Sequence, residues 1–272
     1  MLLAPSSAVY LLFFVAPIIY FLVISFWRVE SYKLTPDATL TNYATALDDY
    51  SRSFIFTFMM ASVVSVSVTI VAFVFAYGCR FKAGRYGTAL LFVALITLFG
   101  GFLSKIYMWK TILGQKGILN SALIEIGLIT EPITVFLYNP FAFVITLGHY
   151  MLPLAVLPIY GSLRSIEDLP LRGARDLGAT RWRVFRDIVL PQCQVGLLVA
   201  FALTFLFAAG DFVTPMLVGG PHTSMIGTFI QLQFGLRVNP PMGAAIAFTV
   251  IGICIVVVTL VGVAMSRVLR PR

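Results

Sequence analysis

Seven long stretches of this 272-residue chain contain no Asp, Glu, Lys or Arg: Met1–Trp27, Ser53–Cys79, Tyr86–Ser104, Pro132–Leu163, Ile188–Gly210, Phe212–Leu236 and Val238–Ser266. A helix needs about 20 apolar residues to cross roughly 30 Å of hydrocarbon, and an ionised residue at mid-membrane costs about 2.5–3.5 kcal/mol. Six of the runs therefore read as spans. The exception is Phe212–Leu236, which carries Pro215, Gly219, Gly220, Pro221, His222, Gln231 and Gln233. Backbone groups freed by such breaks find no partner in lipid, so this run reads as an irregular loop with a short surface helix. The predicted fold is an all-α integral membrane protein, one transmembrane domain over residues 1–272, with six spans at about 8–27, 54–79, 87–109, 141–163, 193–217 and 242–266. No basic residue precedes the first run, its apolar part is too long for a signal peptide and no A-x-A site follows, so it is expected to remain as a helix.

Composition supports the same class. Hydrophobic residues make up 60% of the chain, charged residues 11%, and the mean hydropathy is +0.97. A soluble enzyme or a disordered regulator has no means of carrying that apolar load. The net charge of +8 is spread along the chain without a basic run, which excludes a nucleic-acid footprint. With six spans, twelve Lys and Arg fall on one side of the membrane and seven on the other. The positive-inside rule puts the twelve, and both termini, in the cytoplasm. Cys79, Cys193 and Cys254 are far apart and read as buried packing residues. His149 and His222 stand alone in the sequence, with no metal-type spacing. Gly243, Ala244, Ala245 and Ala247 in the last span suit close helix crossing, within the subunit or against another.

The loop between spans four and five, about 164–191, holds six arginines and four acids. Pro170 suits the first turn of a helix, Leu171, Ala174, Arg175 and Gly178 follow at helical spacing, and an amphipathic pattern resumes from Arg181 to Val189. Two short helices meeting at a sharp angle at Gly178 are predicted, the glycine allowing a close approach. On spacing alone, a partner protein and an anionic membrane surface are equally good occupants of the Arg- and aromatic-rich face.

The stretch Arg172–Pro191 resembles the cytoplasmic signature of ABC-importer permeases, E-A-A, three residues, G, nine or more residues, then I-x-L-P. Gly173 and Ala174 stand at the alanine positions, Gly178 is the glycine, and Ile188, Leu190 and Pro191 close the pattern; Arg172 stands where the family usually has Glu. Further segments, Gly100–Trp109, Ile112–Gly117, Leu152–Pro153 with Leu157–Tyr160, and Gly210–Pro215 with Gly219–Gly220, resemble the spermidine/putrescine branch of these permeases, so that the likeness covers about residues 8–266. The resemblance implies a type I importer permease of the bacterial inner membrane, with a coupling loop that meets the ATPase through Arg172, Gly173, Ala174, Asp176, Gly178, Ala179, Arg183, Phe185, Leu190 and Pro191. It implies as partners a second permease, two cytoplasmic ATPase subunits that hold ATP and Mg, and a periplasmic solute-binding protein. This chain has no phosphate loop of its own, so no cofactor and no covalent chemistry are expected on it.

For a polyamine cargo, carboxylate and aromatic faces are the matching chemistry. Asp211, at the outer end of span five, and Tyr107, Trp109 and Tyr150 are the candidate pathway residues. Asp211 equally suits a helix end bonding loop N–H groups, and the aromatics an interfacial belt. Pro153 and Pro158 read as a hinge, a path-lining break or a static kink in span four. Opine, aminophosphonate or ferric-ion cargo, and a gradient-driven transporter or channel, stay as alternatives.

Overall fold

The computed structural model describes residues 4–30, 33–220 and 223–269; His222, Arg270 and Arg272 lie outside the described residues. Its helices are α1 (Ser6–Ile24), α2 (Thr41–Asp49), α3 (Ser51–Phe81), α4 (Gly87–Ile96), α5 (Phe102–Leu113), α6 (Ile118–Glu125), α7 (Pro140–Arg164), α8 (Asp168–Asp176), α9 (Arg181–Val184), α10 (Gln194–Gly210), α11 (Ile226–Phe234) and α12 (Pro240–Val268). A two-stranded antiparallel ribbon, β1 (Arg28–Glu30) and β2 (Lys33–Thr35), adds a small β element to the all-helical expectation. It lies outside the bundle and is tied by a 2.9 Å Arg28–Asp37 ion pair.

The centre of the molecule is the mutual packing of α3, α7 and α10. On α3, Ala61, Val64, Val68, Ala72 and Ala76 recur at helical spacing and are fully or almost fully buried. They meet Leu147, Met151, Ala155 and Ile159 of α7 and Ala200, Phe205 and Ala208 of α10. Small side chains let backbones approach where lipid supplies no hydrophobic drive between helices. At Gly196 on α10 a Cβ would sit 2.6 Å from the Pro158 carbonyl oxygen. The outward faces are apolar instead: Ile55, Ile70 and Val74 of α3 and Ile255 and Leu260 of α12 are exposed, as is most of α1. That distribution suits hydrocarbon as solvent. Gly243 packs within the subunit, since a Cβ there would lie 2.7 Å from the Phe234 ring. Cys79, Cys193 and Cys254 are buried and unpaired.

Among the described residues, four continuous helices are long and apolar enough to cross a membrane, or up to six if each of two bent pairs is one span. The predicted span 87–109 is not one rod. Gly100 and Gly101 are extended, and the segments Gly84–Phe99 and Phe102–Glu125 meet at 98°. The predicted span 193–217 is continuous only to Gly210; before it, Arg181–Gln192 joins at 61°, with a wide turn at Phe185–Val189 that absorbs the missing N–H of Pro191. Pro153 and Pro158 sit inside an unbroken α7.

The segment expected to hold a surface helix is instead folded into the bundle. Met225, Ile226 and Gln233 are buried, and the Ile226 N–H donates to Thr57 Oγ1 at 2.8 Å. The Tyr50 hydroxyl accepts from Gln233 Nε2 at 2.9 Å and from Arg237 at 2.8 Å. Side-chain acceptors on α3 and beside it thus answer the groups that made this run look unfit for burial. Thr57→Val removes one acceptor without changing shape and is expected to cost about 1–3 kcal/mol. A lower unfolding temperature in detergent would show it; an unchanged transition would mean that the N–H has another acceptor.

Two ends of the bundle are now defined. Arg80 donates to the Ile166 carbonyl at 3.2 Å and pairs with Asp168 at 2.8 Å, which joins the last turn of α3 to the 164–191 loop on one end. Tyr50, Gln233 and Arg237 lie at the other.

Candidate functional site

The 164–191 loop is a helix–turn–helix anchored by Ile166, Leu171, Val184 and Val189, each at most 5% exposed. Asp168 in the first turn of α8 suits the helix dipole. The helix ends because Gly178 takes φ +84°, its N–H donating to the Arg175 carbonyl at 2.9 Å and the Ala179 N–H to that of Ala174 at 3.0 Å. Nothing lies within 4 Å of a Cβ at Gly178. Within the subunit the glycine therefore serves backbone conformation. Thr180 caps α9, its Oγ1 accepting from the Arg183 N–H at 3.3 Å.

Of the residues singled out for coupling, Arg172, Gly173, Asp176, Gly178 and Arg183 are exposed, while Ala174, Ala179 and Phe185 pack against the core. Phe185 lies against Phe73 and Tyr77 with ring centroids 5.9 and 5.7 Å apart. Leu190 and Pro191 are half-buried where the chain turns into α10. Arg183 and Arg186 both reach Asp187, at 3.7 and 2.7 Å, and the bond to Asp187 raises the Arg186 pKa above its ordinary value. Leu177, at the tip of the bend, is 91% exposed. Leu169 and Trp182 are also exposed, so the bend is a projecting ridge with apolar points and a basic rim.

The pathway candidates separate. Trp109 and Tyr150 share the α5–α7 interface: Trp109 Nε1 donates to His149 Nδ1 at 3.2 Å, and Tyr150 packs with Phe102 and Phe207 at 4.8 and 5.5 Å. Tyr107 points away from this interface and lines an open hollow with Ser104, Met108 and Thr111. Asp211 is 6% exposed; its Oδ1 accepts from the N–H groups of Val213 and Thr214 at 2.9 and 3.2 Å, while Oδ2 is buried without a hydrogen-bond partner among the described residues. It directly follows the last residue of α10, the helix that bears Phe207.

Sequence reading missed Lys105, counted among the loop cations. It is 3% exposed, its Nζ has no hydrogen-bond partner among the described residues, and it stands 5.2 Å from the Tyr150 ring centroid. A buried ammonium needs compensation, and the ring face supplies part of it. The legible signal was its place one turn before Trp109 and next to the buried Ile106, on the helix face opposite Tyr107.

A bundle with exposed apolar walls, polar groups held inside and a rigid projecting loop is a polytopic membrane protein. The chain belongs to the family described as binding-protein-dependent transport system inner membrane component, whose profile matches residues 38–272. It is 32% identical over 212 residues to the spermidine/putrescine transport system permease protein PotB of Escherichia coli (strain K12), covering 78% of this chain and 77% of that protein. It is 30% identical over 210 residues to PotB of Haemophilus influenzae, covering 77% and 73%. To the inner membrane ABC transporter permease protein YdcU of Escherichia coli (strain K12) it is 30% identical over 238 residues, covering 82% and 74%. A crystal structure of a bacterial ABC transporter involved in the import of the acidic polysaccharide alginate shares the fold, with a TM-score of 0.78 at 18% identity over 98% of this chain and 93% of that one. The chain is thus an ABC-importer permease, a multi-pass transport subunit of the inner membrane and not an enzyme. Importers of this family combine a permease pair, ATPase subunits and a periplasmic binding protein.

Proposed function

We propose that this chain forms half of the gated membrane path of a polyamine importer, with six crossings, both termini in the cytoplasm and residues 164–191 as the coupling loop. The observation that carries the coupling role is the ridge at Gly178: a short helix, a left-handed turn and a second helix, rooted in the α3–α7–α10 core and bare at Leu177. Closure of two cytoplasmic ATPase subunits, which bind ATP and Mg, would push on this ridge, and the rigid spans would carry the push to the far end. Arg172, Gly173, Asp176 and Arg183 supply its outer face, and Ala174, Ala179, Phe185, Leu190 and Pro191 its rigid root. The second permease is read as a different chain.

Polyamine cargo is supported by the names of the spermidine/putrescine relatives. Tyr150 and Trp109, with Asp211 ending the helix that bears Phe207, are the groups a polyamine would pass; Tyr107 would meet it only from its own exposed side of α5. One observation favours a second reading. The Lys105 ammonium, buried without a hydrogen-bond partner among the described residues, suits a cargo with a carboxylate or phosphonate, as in an opine or aminophosphonate. Reconstituted complex tested with loaded binding proteins separates the two. Spermidine or putrescine is expected to stimulate ATP hydrolysis; silence to both, with a response to an opine or aminophosphonate, moves the assignment to the anionic class. Uptake by this chain alone, driven by a gradient, would remove the ABC mechanism.

A further inference from the structure

Behind the ridge, between the end of α3 and the helices α8 and α9, lies a groove of about 400 Å³. Its lining includes Arg80, Lys82, Arg172, Arg175 and Arg181 over an apolar floor of Leu171, Val184 and Val189. Asp168 is the one acid in the lining, and Arg80 already holds it at 2.8 Å. Lys82, Arg172, Arg175 and Arg181 have no carboxylate partner among the described residues. Four free cations converge on one concavity, and arginine forks match planar oxyanions two bonds at a time.

We infer that this groove receives a carboxylate-bearing segment of the partner ATPase, so that the permease donates the positive side of the docking contact. The inference rests on reading 164–191 as the docking loop. One observation favours a protein over a lipid headgroup. Exposed Leu169, Leu177 and Trp182 flank the charged groove, and apolar or aromatic anchors beside arginines are the make-up of protein interfaces. The substitution of Arg172 for the usual Glu of the signature then becomes intelligible, because the acid would stand on the other partner.

The test uses the full chain with its ATPase. Arg172→Glu/Arg175→Glu is expected to weaken ATPase association about tenfold or more at physiological salt and to leave the unfolding temperature of the permease unchanged, since both side chains are exposed. Wild-type association is expected to weaken as salt rises. In parallel, Leu177→Cys, the one accessible thiol beside the buried Cys79, Cys193 and Cys254, is cross-linked to the ATPase. If Leu177→Cys cross-links while charge reversal leaves association intact, the seat stands and the acidic partner is overturned. If no cross-link forms in the assembled complex, the docking reading itself fails. Loss of retained phosphatidylglycerol in the reversed variant, with ATPase association intact, would assign the groove to lipid instead.

Discussion

Gly178→Val is expected to reduce substrate-stimulated ATP hydrolysis of the assembled importer to about a tenth or less while the bundle stays folded. No atom lies within 4 Å of the Cβ position, so the substitution meets no clash. Its cost is conformational: a β-branched residue held at φ +84° pays about 1–2 kcal/mol, which is roughly a factor of ten in any equilibrium that needs this turn. The turn relaxes to negative φ, the bonds from Gly178 to Arg175 and from Ala179 to Ala174 are lost, and α9 swings relative to α8. Leu177 and the arginine rim then face the ATPase at the wrong angle. Gly178→Asn, which tolerates the left-handed region, is expected to keep most of the activity. Full coupling in the valine variant would dismiss the ridge as the point of force transfer.

The second large effect falls on the core. Gly196→Leu places a side chain where a Cβ already sits 2.5 Å from Ser162 Oγ and 2.6 Å from the Pro158 carbonyl oxygen. The serine can rotate, but the carbonyl belongs to α7 and moves only with that helix. Separating α7 from α10 also disturbs the Cys193 contact with the Ile159 carbonyl. The expected loss is about 1–3 kcal/mol or more, seen as a lower unfolding temperature and aggregation in detergent. Gly252→Ala is the control: nothing lies within 4 Å of it inside α12, so it should be neutral or stabilising by up to about 1 kcal/mol. Equal unfolding temperatures for Gly196→Leu and Gly252→Ala would refute the close crossing of α7 and α10.

The two substitutions differ in how far their sites could be read from the residues in order. Gly178 stands between two amphipathic patterns, and its left-handed turn follows from local chemistry. Gly196 lies in a plain apolar run, and only the distant Pro158 and Ser162 make it intolerant of change. The same contrast runs through the candidate site. The loop from 164 to 191 announces itself by its arginines and by the proline and glycine that bound its helices. Lys105 does not, because the Tyr150 ring beneath it belongs to another helix. Nor does the inward course of 225–234, whose polar groups are answered by Thr57 and Tyr50 from far along the chain.

What the residue order determines here is the solvent and the punctuation. Apolar runs of membrane length, free of charge, can be stable only in lipid, and the clusters of arginine, proline and glycine between them mark where the chain turns. Tertiary structure decided the rest: the 98° bend at Gly100–Gly101, the burial of a lysine and the insertion of a helix that looked too polar to hide. The physical reason is that hydropathy sums each residue's cost of leaving water, whereas the cost of burial depends on which partner, brought from elsewhere, meets it inside.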